Sequence, residues 1–425
     1  MQTLYNILIW LAEKLLPISK FFNPKMKLFV EGRKNTFPIL ISQINKDDRV
    51  IWFHMASLGE YEQGVPVMEK VKELFPTYKI VVSFYSPSGY EIKKNSPLAD
   101  VVVYLPLDTV ENANSFLDLL HPELAIFVKY EFWPNILNEL NRRDIQTVLV
   151  SGGFREDQLF FKMNNSWFKK PLEAFSHFFV QNEKSKSLLN SIGFNNVSVS
   201  GDTRFDRVAN QLQLNNTLDF IEEFLDNKLC IIAGSTWPED ESLLKEFIMQ
   251  NNLDVKIIIA PHTIDRDRIR AFQKSISVPS VLFSEKEGKH LSDAKVLFID
   301  TIGLLTKIYS YADIAYVGGA FGTTGLHNIL EPATFGIPII TGTNFNKFPE
   351  AIQLKALKGL YAVNSKHELI LILNKLINDT EFRLQTGSIS RKYIRENIGA
   401  TEMICDYLNF FLLKFIEINF IFLFA

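Results

Sequence analysis

Cysteine is nearly absent: Cys230 and Cys405 are the only two in 425 residues. Neither belongs to a CxxC pair or a Cys/His cluster, so a disulfide scaffold and a zinc ribbon are both excluded as readings, and two reduced structural thiols remain. An excess of one charge is also lacking. Lys and Arg total 45 against 48 Asp and Glu, a net charge of -3, which gives no electrostatic case for nucleic acid as a partner. No low-complexity segment or fixed-period repeat is present, and no GxxxxGK[ST] occurs, so the chain has no nucleoside-triphosphatase P-loop. Long apolar runs are scarce. The run Leu4 to Leu16 carries Glu13 and Lys14 and is followed by Pro17. It falls short of the roughly 20 apolar residues that cross a bilayer, and the lack of a small-residue cleavage site argues against a cleaved signal.

What the chain does have is length and core. With 47% hydrophobic residues over 425 positions, two domains are expected. The N-terminal apolar segment precedes Lys20, Lys25, Lys27, Arg33 and Lys34, a basic cluster suited to an anionic cytoplasmic leaflet. Residues 1–34 are therefore read as a membrane anchor, interfacial or marginally spanning, with a buried N-terminal helix as the alternative. The tail 406–425 is rich in Phe, Ile and Leu. A second membrane contact and a helix packed back on the body both fit it.

From Arg49 onward short apolar runs alternate with amphipathic stretches. Strands are expected at 50–54, 80–84, 101–105, 124–128, 147–150 and 178–181, with helical patterns between them at 61–74, 110–120 and 133–142. After the polar interval 210–216 a second series follows at 229–233, 256–260, 296–299, 314–317 and 337–340. Apolar strands separated by helices indicate parallel sheets covered on both faces. The expected fold is α/β: two Rossmann-like domains, 35–209 and 217–405, facing a central cleft. Ligands in such sheets bind beyond the carboxyl ends of the strands, which directs attention to the residues there.

In the first half, the turn His54-Met-Ala-Ser57-Leu-Gly59-Glu60 places a carboxylate where a strand passes into a helix. Such a group can act as a general base, or merely complement the helix dipole. Lys129-Tyr130-Glu131-Phe132-Trp133-Pro134-Asn135 places a second carboxylate after the strand 124–128, although Lys129 and Glu131 can also simply pair. Arg204, in Gly201-Asp202-Thr203-Arg204-Phe205-Asp206, presents a planar cation for a phosphate or carboxylate, or pairs with Asp202 or Asp206.

In the second half, Gly234-Ser235-Thr236-Trp237-Pro238-Glu239 opens a helix. Ser235 and Thr236 suit an anion, yet the same residues describe an ordinary capped start. Pro261-His262 ends another strand, and a lone histidine is more often structural than ligand-binding. The densest stretch runs from Val317 to Pro338. It holds Gly318, Gly319, Gly322 and Gly325, then Asn328-Ile329-Leu330-Glu331-Pro332-Ala333. Glycines admit a ligand close to the backbone, a helix expected to start near Asn328 offers N–H donors to phosphate, and Glu331 is placed one turn in to accept from ribose hydroxyls. A nucleotide-sugar site is the reading of this stretch.

These motifs resemble, in order and over nearly the whole chain to about residue 400, those of the bacterial Kdo transferases. That family moves 3-deoxy-D-manno-octulosonic acid (Kdo) from CMP-Kdo onto lipid A precursor in lipopolysaccharide core synthesis. Ser57-Leu58-Gly59-Glu60, Glu131-Phe132-Trp133-Pro134-Asn135, Gly201 to Asp206, Gly318-Gly319 and His327-Asn328-Ile329-Leu330-Glu331-Pro332-Ala333 carry the resemblance. It implies a GT-B fold and inversion at the anomeric carbon, with no metal and no cofactor beyond the CMP-Kdo donor. Glu60 would be the base, and Glu131 and Arg204 would support the transition state. Pro261, His262, Ile302, Gly303, Leu304 and Asn328 to Glu331 would bind CMP, with Ser235, Thr236, Gly318 and Gly319 as a phosphate or sugar loop. The implied partners are CMP-Kdo, the lipid acceptor (lipid IVA) and inner-membrane lipid, with no nucleic acid, and the implied location is the cytoplasmic face of the inner membrane. Three positions depart from the family pattern. Pro261 stands for an arginine before His262, Leu304 for a glutamate after Gly303, and Arg204 for a lysine, which keeps the charge but changes hydrogen-bond geometry. A UDP-sugar enzyme or epimerase on the same scaffold, or a non-catalytic sugar-nucleotide-binding membrane protein, are the competing readings.

Overall fold

The computed structural model describes residues 1–162, 166–250 and 254–423, with side chains described up to Leu412 at the C-terminal end. The chain divides into two units, Met1–Arg207 with Ile398–Ala425, and Val208–Asn397.

The first unit is built on seven parallel strands: β1 (Val50–Met55), β2 (Lys79–Phe84), β3 (Val101–Tyr104), β4 (Leu124–Val128), β5 (Gln146–Gly152), β6 (His177–Val180) and β7 (Val197–Val199). Their order is β3-β2-β1-β4-β5-β6-β7. β1 and β4 are buried at every position, as a parallel sheet sandwiched by helices demands. Trp52 and Phe127 pack edge to face on one side of this sheet, while Ile51, Phe53 and Val128 face the other. Chain order reverses between β1 and β4, so the topological switch point lies there.

The second unit repeats the plan with β8 (Leu229–Thr236), β9 (Val255–Pro261), β10 (Ser280–Leu282), β11 (Val296–Phe298), β12 (Ile314–Val317), β13 (Ile339–Thr341) and β14 (Leu360–Ala362). The order is β10-β11-β9-β8-β12-β13-β14, with the switch point between β8 and β12. β7, β10 and β14 were not among the expected strands. Each has three residues and lies at a sheet edge, too short to show an apolar run of its own.

The two ends of the chain differ in part from what the sequence implies. Residues 398–405, assigned from sequence to the second domain, belong to the first unit. The helix Ala400–Leu423 buries Ile404, Cys405, Leu408 and Leu412 among Val67, Met68 and Val71 of that unit's core. Asp206 fixes its start by accepting from the N–H groups of Gly399 and Thr401 and from Thr401 Oγ1, a side-chain cap on otherwise orphaned donors. The tail thus packs back on the body as far as Leu412; residues 424–425 lie outside the described part.

At the other end, the helix Gln2–Ser19 has no buried residue, which removes the alternative of a buried N-terminal helix. No helix among the described residues is long and apolar enough to cross a membrane. Its polar edge faces the body: Tyr5 OH donates to Asp108 Oδ2 at 2.7 Å, Gln2 Nε2 to Asn135 Oδ1 at 2.7 Å, and Asn112 Nδ2 to Glu13 Oε1 at 2.8 Å. Leu4, Ile7, Leu8, Leu11, Leu15 and Ile18 are exposed, spaced as one helical stripe. This amphipathicity is reversed relative to a helix covering a core.

The basic cluster is also less uniform than its sequence implies. Arg33 stacks on Phe29 and Tyr85 and donates to the Tyr85 carbonyl at 2.7 Å, while Lys20 and Lys34 both pair with Glu31.

Candidate functional site

In the first unit the two carboxylates singled out from sequence follow β1 and β4, one on each side of the switch point. Ser57 is the extended N-cap residue of the helix Leu58–Leu74, so Glu60 falls in its first turn. Close packing seats that helix on β1: a side chain at Gly64 would overlap the Met55 methyl. Glu60 is buried, and its Oε2 accepts a short hydrogen bond from Ser57 Oγ. Lys129 Nζ lies 3.9 Å from Glu60 Oε1. Lys129 has a left-handed backbone, φ 76°, and its ion-pair partner is Glu60, across the switch point, rather than Glu131.

Glu131 instead meets Trp133 and His54. Trp133 Nε1 donates to Glu131 Oε2 at 3.2 Å and to His54 Nε2 at 3.1 Å. The sequence alone assigns His54 no role, although a single histidine in a strand whose other residues are apolar is a signal for one. Arg204 pairs with Asp202, Nε to Oδ2 at 2.9 Å and Nη2 to Oδ2 at 2.8 Å, whereas Asp206 caps the C-terminal helix. Burial opposes the ionised form of Asp202, but Arg204 and the amide of Gln63 outweigh it and hold the carboxyl below its ordinary range. Gln63 lies one turn beyond Glu60, so Asp202 ties the Arg204 loop to the helix that carries the candidate base.

In the second unit the candidates again ring the switch point. His262, after β9, stacks on Trp237 with centroids 4.7 Å apart and on His327 at 4.2 Å. Trp237 Nε1 donates to His327 Nε2 at 2.9 Å, which requires that nitrogen to be unprotonated. Burial, with His262 adding to it, pushes the His327 pKa down to about 4, so the ring column is neutral near pH 7. Burial and then Arg268 lower His262 as well. Arg268 is a cation near His262 that the sequence reading did not single out.

Asn328 Nδ2 donates to Glu331 Oε1 at 3.1 Å, and Thr306 Oγ1 to Glu331 Oε2 at 3.2 Å. The second bond brings the Ile302-Gly303-Leu304 turn beside the Asn328–Glu331 segment. Gly303 has φ 92° and Ile302 is 87% exposed, so this turn is open to solvent.

Several expected ligand groups are already committed within the protein. The helix expected near Asn328 begins at Leu330 and has five residues, because Asn328 Oδ1 accepts from Leu330 N–H in a turn; Glu331 is thus its second residue. Ile329 and Leu330 are buried in the core, leaving only their backbone for a ligand. Thr236 is buried and its hydroxyl donates to Glu241. Asp240 accepts from Trp237 N–H, Gly319 N–H and Tyr316 OH, while Gly318 N–H donates to the Gly234 carbonyl. The N–H groups of Gly318 and Gly319 therefore shape the loop instead of pointing at an anion. Ser235, at φ 55° and half-buried, lies within β8 at the register shift between Gly234 and Thr236, so the strand runs on through the stretch expected to be a loop. Pro261 is the buried last residue of β9, and His262 N–H donates to the Thr236 carbonyl at 3.0 Å.

A family model described as "3-Deoxy-D-manno-octulosonic-acid transferase (kdotransferase)" matches residues 31–207. A 3-deoxy-D-manno-octulosonic acid transferase of Rickettsia felis is 30% identical over 360 residues, covering 82% of this chain and 74% of that protein. A bifunctional glycosyltransferase/methyltransferase of Fusobacterium nucleatum is 29% identical over 352 residues, covering 80% of this chain; the chain spans about half of that relative, 53%. The solved UDP-GlcNAc 2-epimerase of Neisseria meningitidis superposes with a TM-score of 0.60 at 16% identity, over 85% of this chain and 99% of that one. At such identity the likeness is one of fold.

Proposed function

The chain belongs to the 3-deoxy-D-manno-octulosonic acid transferase family, and from that premise we propose that it transfers Kdo from CMP-Kdo to a lipid A precursor, with inversion and without a metal, at the cytoplasmic face of the inner membrane. The observation that carries the reading is the pair Glu60 and Glu131 flanking the first switch point, in a chain whose second switch point carries the Asn328–Glu331 segment.

Glu60 takes the proton of the acceptor hydroxyl as that oxygen bonds to the anomeric carbon of Kdo. The bond from that carbon to the phosphate oxygen breaks, and CMP leaves with the electron pair. Ser57 and Lys129, which both contact the Glu60 carboxylate, orient it for this step. Glu131 faces positive charge that develops on the sugar ring. Arg204 offers a guanidinium suited to the sugar carboxylate or the phosphate. In the second unit His262 and Trp237 present a stacked ring surface for the nucleotide, and Glu331 presents carboxylate oxygens to ribose hydroxyls.

An apolar cavity of about 670 Å³ supports a lipid acceptor. Leu4 and Leu8 of the N-terminal helix line it together with Trp133, Phe160 and Trp167, so it adjoins the residue that holds Glu131. The outward apolar stripe of the same helix supports seating in the membrane interface, where an apolar face is buried in the boundary between headgroups and acyl chains.

The test is incubation of the purified protein in detergent with CMP-Kdo and tetra-acylated lipid A precursor, followed by mass spectrometry of the lipid. Release of CMP together with a lipid heavier by Kdo is the expected result. A folded protein that releases no CMP and leaves the lipid unchanged would remove the proposal. Stronger protection from unfolding by UDP than by CMP would favour the UDP-sugar alternative instead, since a ligand stabilises the state that binds it.

A further inference from the structure

A fully buried imidazole at the end of an apolar strand is costly unless its nitrogens are bonded. His54, the fifth residue of β1, is 0% exposed, and Phe127 lies edge-on to its ring at 5.4 Å. Both nitrogens have partners. Nδ1 is 2.9 Å from Ser83 Oγ on the adjacent strand β2, and Ser83 is itself held by Trp52 Nε1 at 2.8 Å. Nε2 accepts from Trp133 Nε1, which leaves the ring proton on Nδ1 to donate to Ser83.

The indole N–H that reaches His54 is the same one that reaches Glu131. Glu131 Oε2 also lies 3.6 Å from His54 Nε2. Residues 129–133 form neither helix nor strand, so the backbone alone does not lock the Glu131 carboxylate. Trp133 does so, because its ring is gripped on its face by Tyr85, 4.5 Å between centroids, and at its N–H by His54. Rigidity thus passes from the centre of the sheet to the loop.

We propose that His54 is a positioning residue for sugar transfer: through the shared N–H of Trp133 it sets the Glu131 carboxylate beside the switch point. This inference rests on the transferase reading above. His54 touches no substrate. Its contribution lies in how narrowly Glu131 is held, and carboxylates oriented by such outer partners typically lose 10- to 100-fold in activity when the partner is removed, by analogy with ligand-orienting residues at metal sites.

The experiment uses the full chain in detergent and compares wild type, His54→Leu, His54→Gln and Trp133→Phe. Leucine fills the volume without an acceptor. Glutamine returns a carbonyl oxygen near the place of Nε2. Expected are a fall in kcat of about 10- to 100-fold for His54→Leu at unchanged KM for CMP-Kdo, recovery of most of that loss in His54→Gln, and a fall for Trp133→Phe. Wild-type kcat in His54→Leu would overturn the inference. So would equal loss in the leucine and glutamine variants with matching drops in thermal midpoint, because that pattern marks packing alone.

A second readout does not depend on turnover. In ¹⁵N-imidazole spectra, His54 of the wild type should carry its proton on Nδ1, and the Nε2 resonance should move in Glu131→Gln and in Trp133→Phe. An Nε2 resonance unmoved by either substitution overturns the inference. If the wild type releases no CMP from CMP-Kdo, the transferase reading falls and these spectra alone decide the role of His54 in holding Glu131.

Discussion

Lys129 and Glu60 lie 3.9 Å apart across the first switch point, although Glu131 is the nearer acid in sequence. The left-handed backbone at Lys129 ends β4 and sends its ammonium to the helix that follows β1. A cation is thereby fixed beside the candidate base. Glu60→Gln should lower turnover by about 10²- to 10⁴-fold, the usual span for a general base, while protection from unfolding by CMP stays as in the wild type. Lys129→Met should lower kcat while protection from unfolding by CMP stays as in the wild type, since the ion pair that helps fix the Glu60 carboxylate is lost. Wild-type kcat in this variant would show that Lys129 does not act on Glu60.

Gly319 tests the shape of the second-unit loop. It has φ 94°, and a side chain there would overlap the Gly325 carbonyl oxygen. Its N–H also donates to buried Asp240 at 2.9 Å. Gly319→Ala should cost about 1–3 kcal/mol in stability and weaken CMP binding measured by calorimetry. Wild-type affinity in a variant of unchanged stability would mean that the loop tolerates a side chain and that its glycine is not required.

His327 sets a pH dependence of stability. Its folded pKa of about 4 lies below the ordinary 6.5, so between these values the unfolded chain binds more protons than the folded one. The stabilisation is complete above pH 6.5 and is lost as pH falls from there through about 4. Urea midpoints between pH 7 and pH 4 should fall less steeply in His327→Gln than in the wild type. The depressed pKa of His262 acts in the same direction and should leave part of the slope. Identical slopes in the two proteins would place the titrating groups elsewhere.

The N-terminal helix offers a test that is independent of turnover. Leu8→Glu and Leu11→Glu place charge on its exposed stripe, away from the edge held by Tyr5 and Gln2. Sedimentation with vesicles containing anionic phospholipid should fall several-fold for the double variant, because bound area is lost and a like charge faces the surface. The thermal midpoint should change by only a few degrees, as expected for exposed positions. Unaltered sedimentation would mean that this stripe does not seat the protein on lipid.

Eleven strands were legible from sequence because parallel sheets covered on both faces require unbroken apolar runs, as in Val-Ile-Trp-Phe before His54 and Leu-Ala-Ile-Phe-Val at β4. Glu60, Glu131 and Arg204 stood out because small residues, prolines and strand ends are local features. Their partners are not local. A pair between Lys129 and Glu131 was one open alternative, and nothing in the sequence distinguishes it from the reach of Lys129 to Glu60. His54 drew no functional reading, because its connection to Glu131 passes through an indole 79 residues away. Similarly, the sequence alone suits the glycines at 318 and 319 to a phosphate or sugar, whereas in the fold Asp240 and Gly234 accept their N–H groups.

The sequence by itself determined the alternation of strand and helix, the two-domain plan and the positions of the acidic residues at strand ends, since each of these follows from local hydrophobic period and turn chemistry. Only the tertiary structure decided the strand order that puts β1 beside β4, the return of the C-terminal helix to the first unit, and the outward turn of the N-terminal apolar stripe. The physical reason is that hydrogen bonds and burial are satisfied between segments far apart in the chain. Several partners often fit a given residue equally well in sequence, and the folded chain admits one set of them at once.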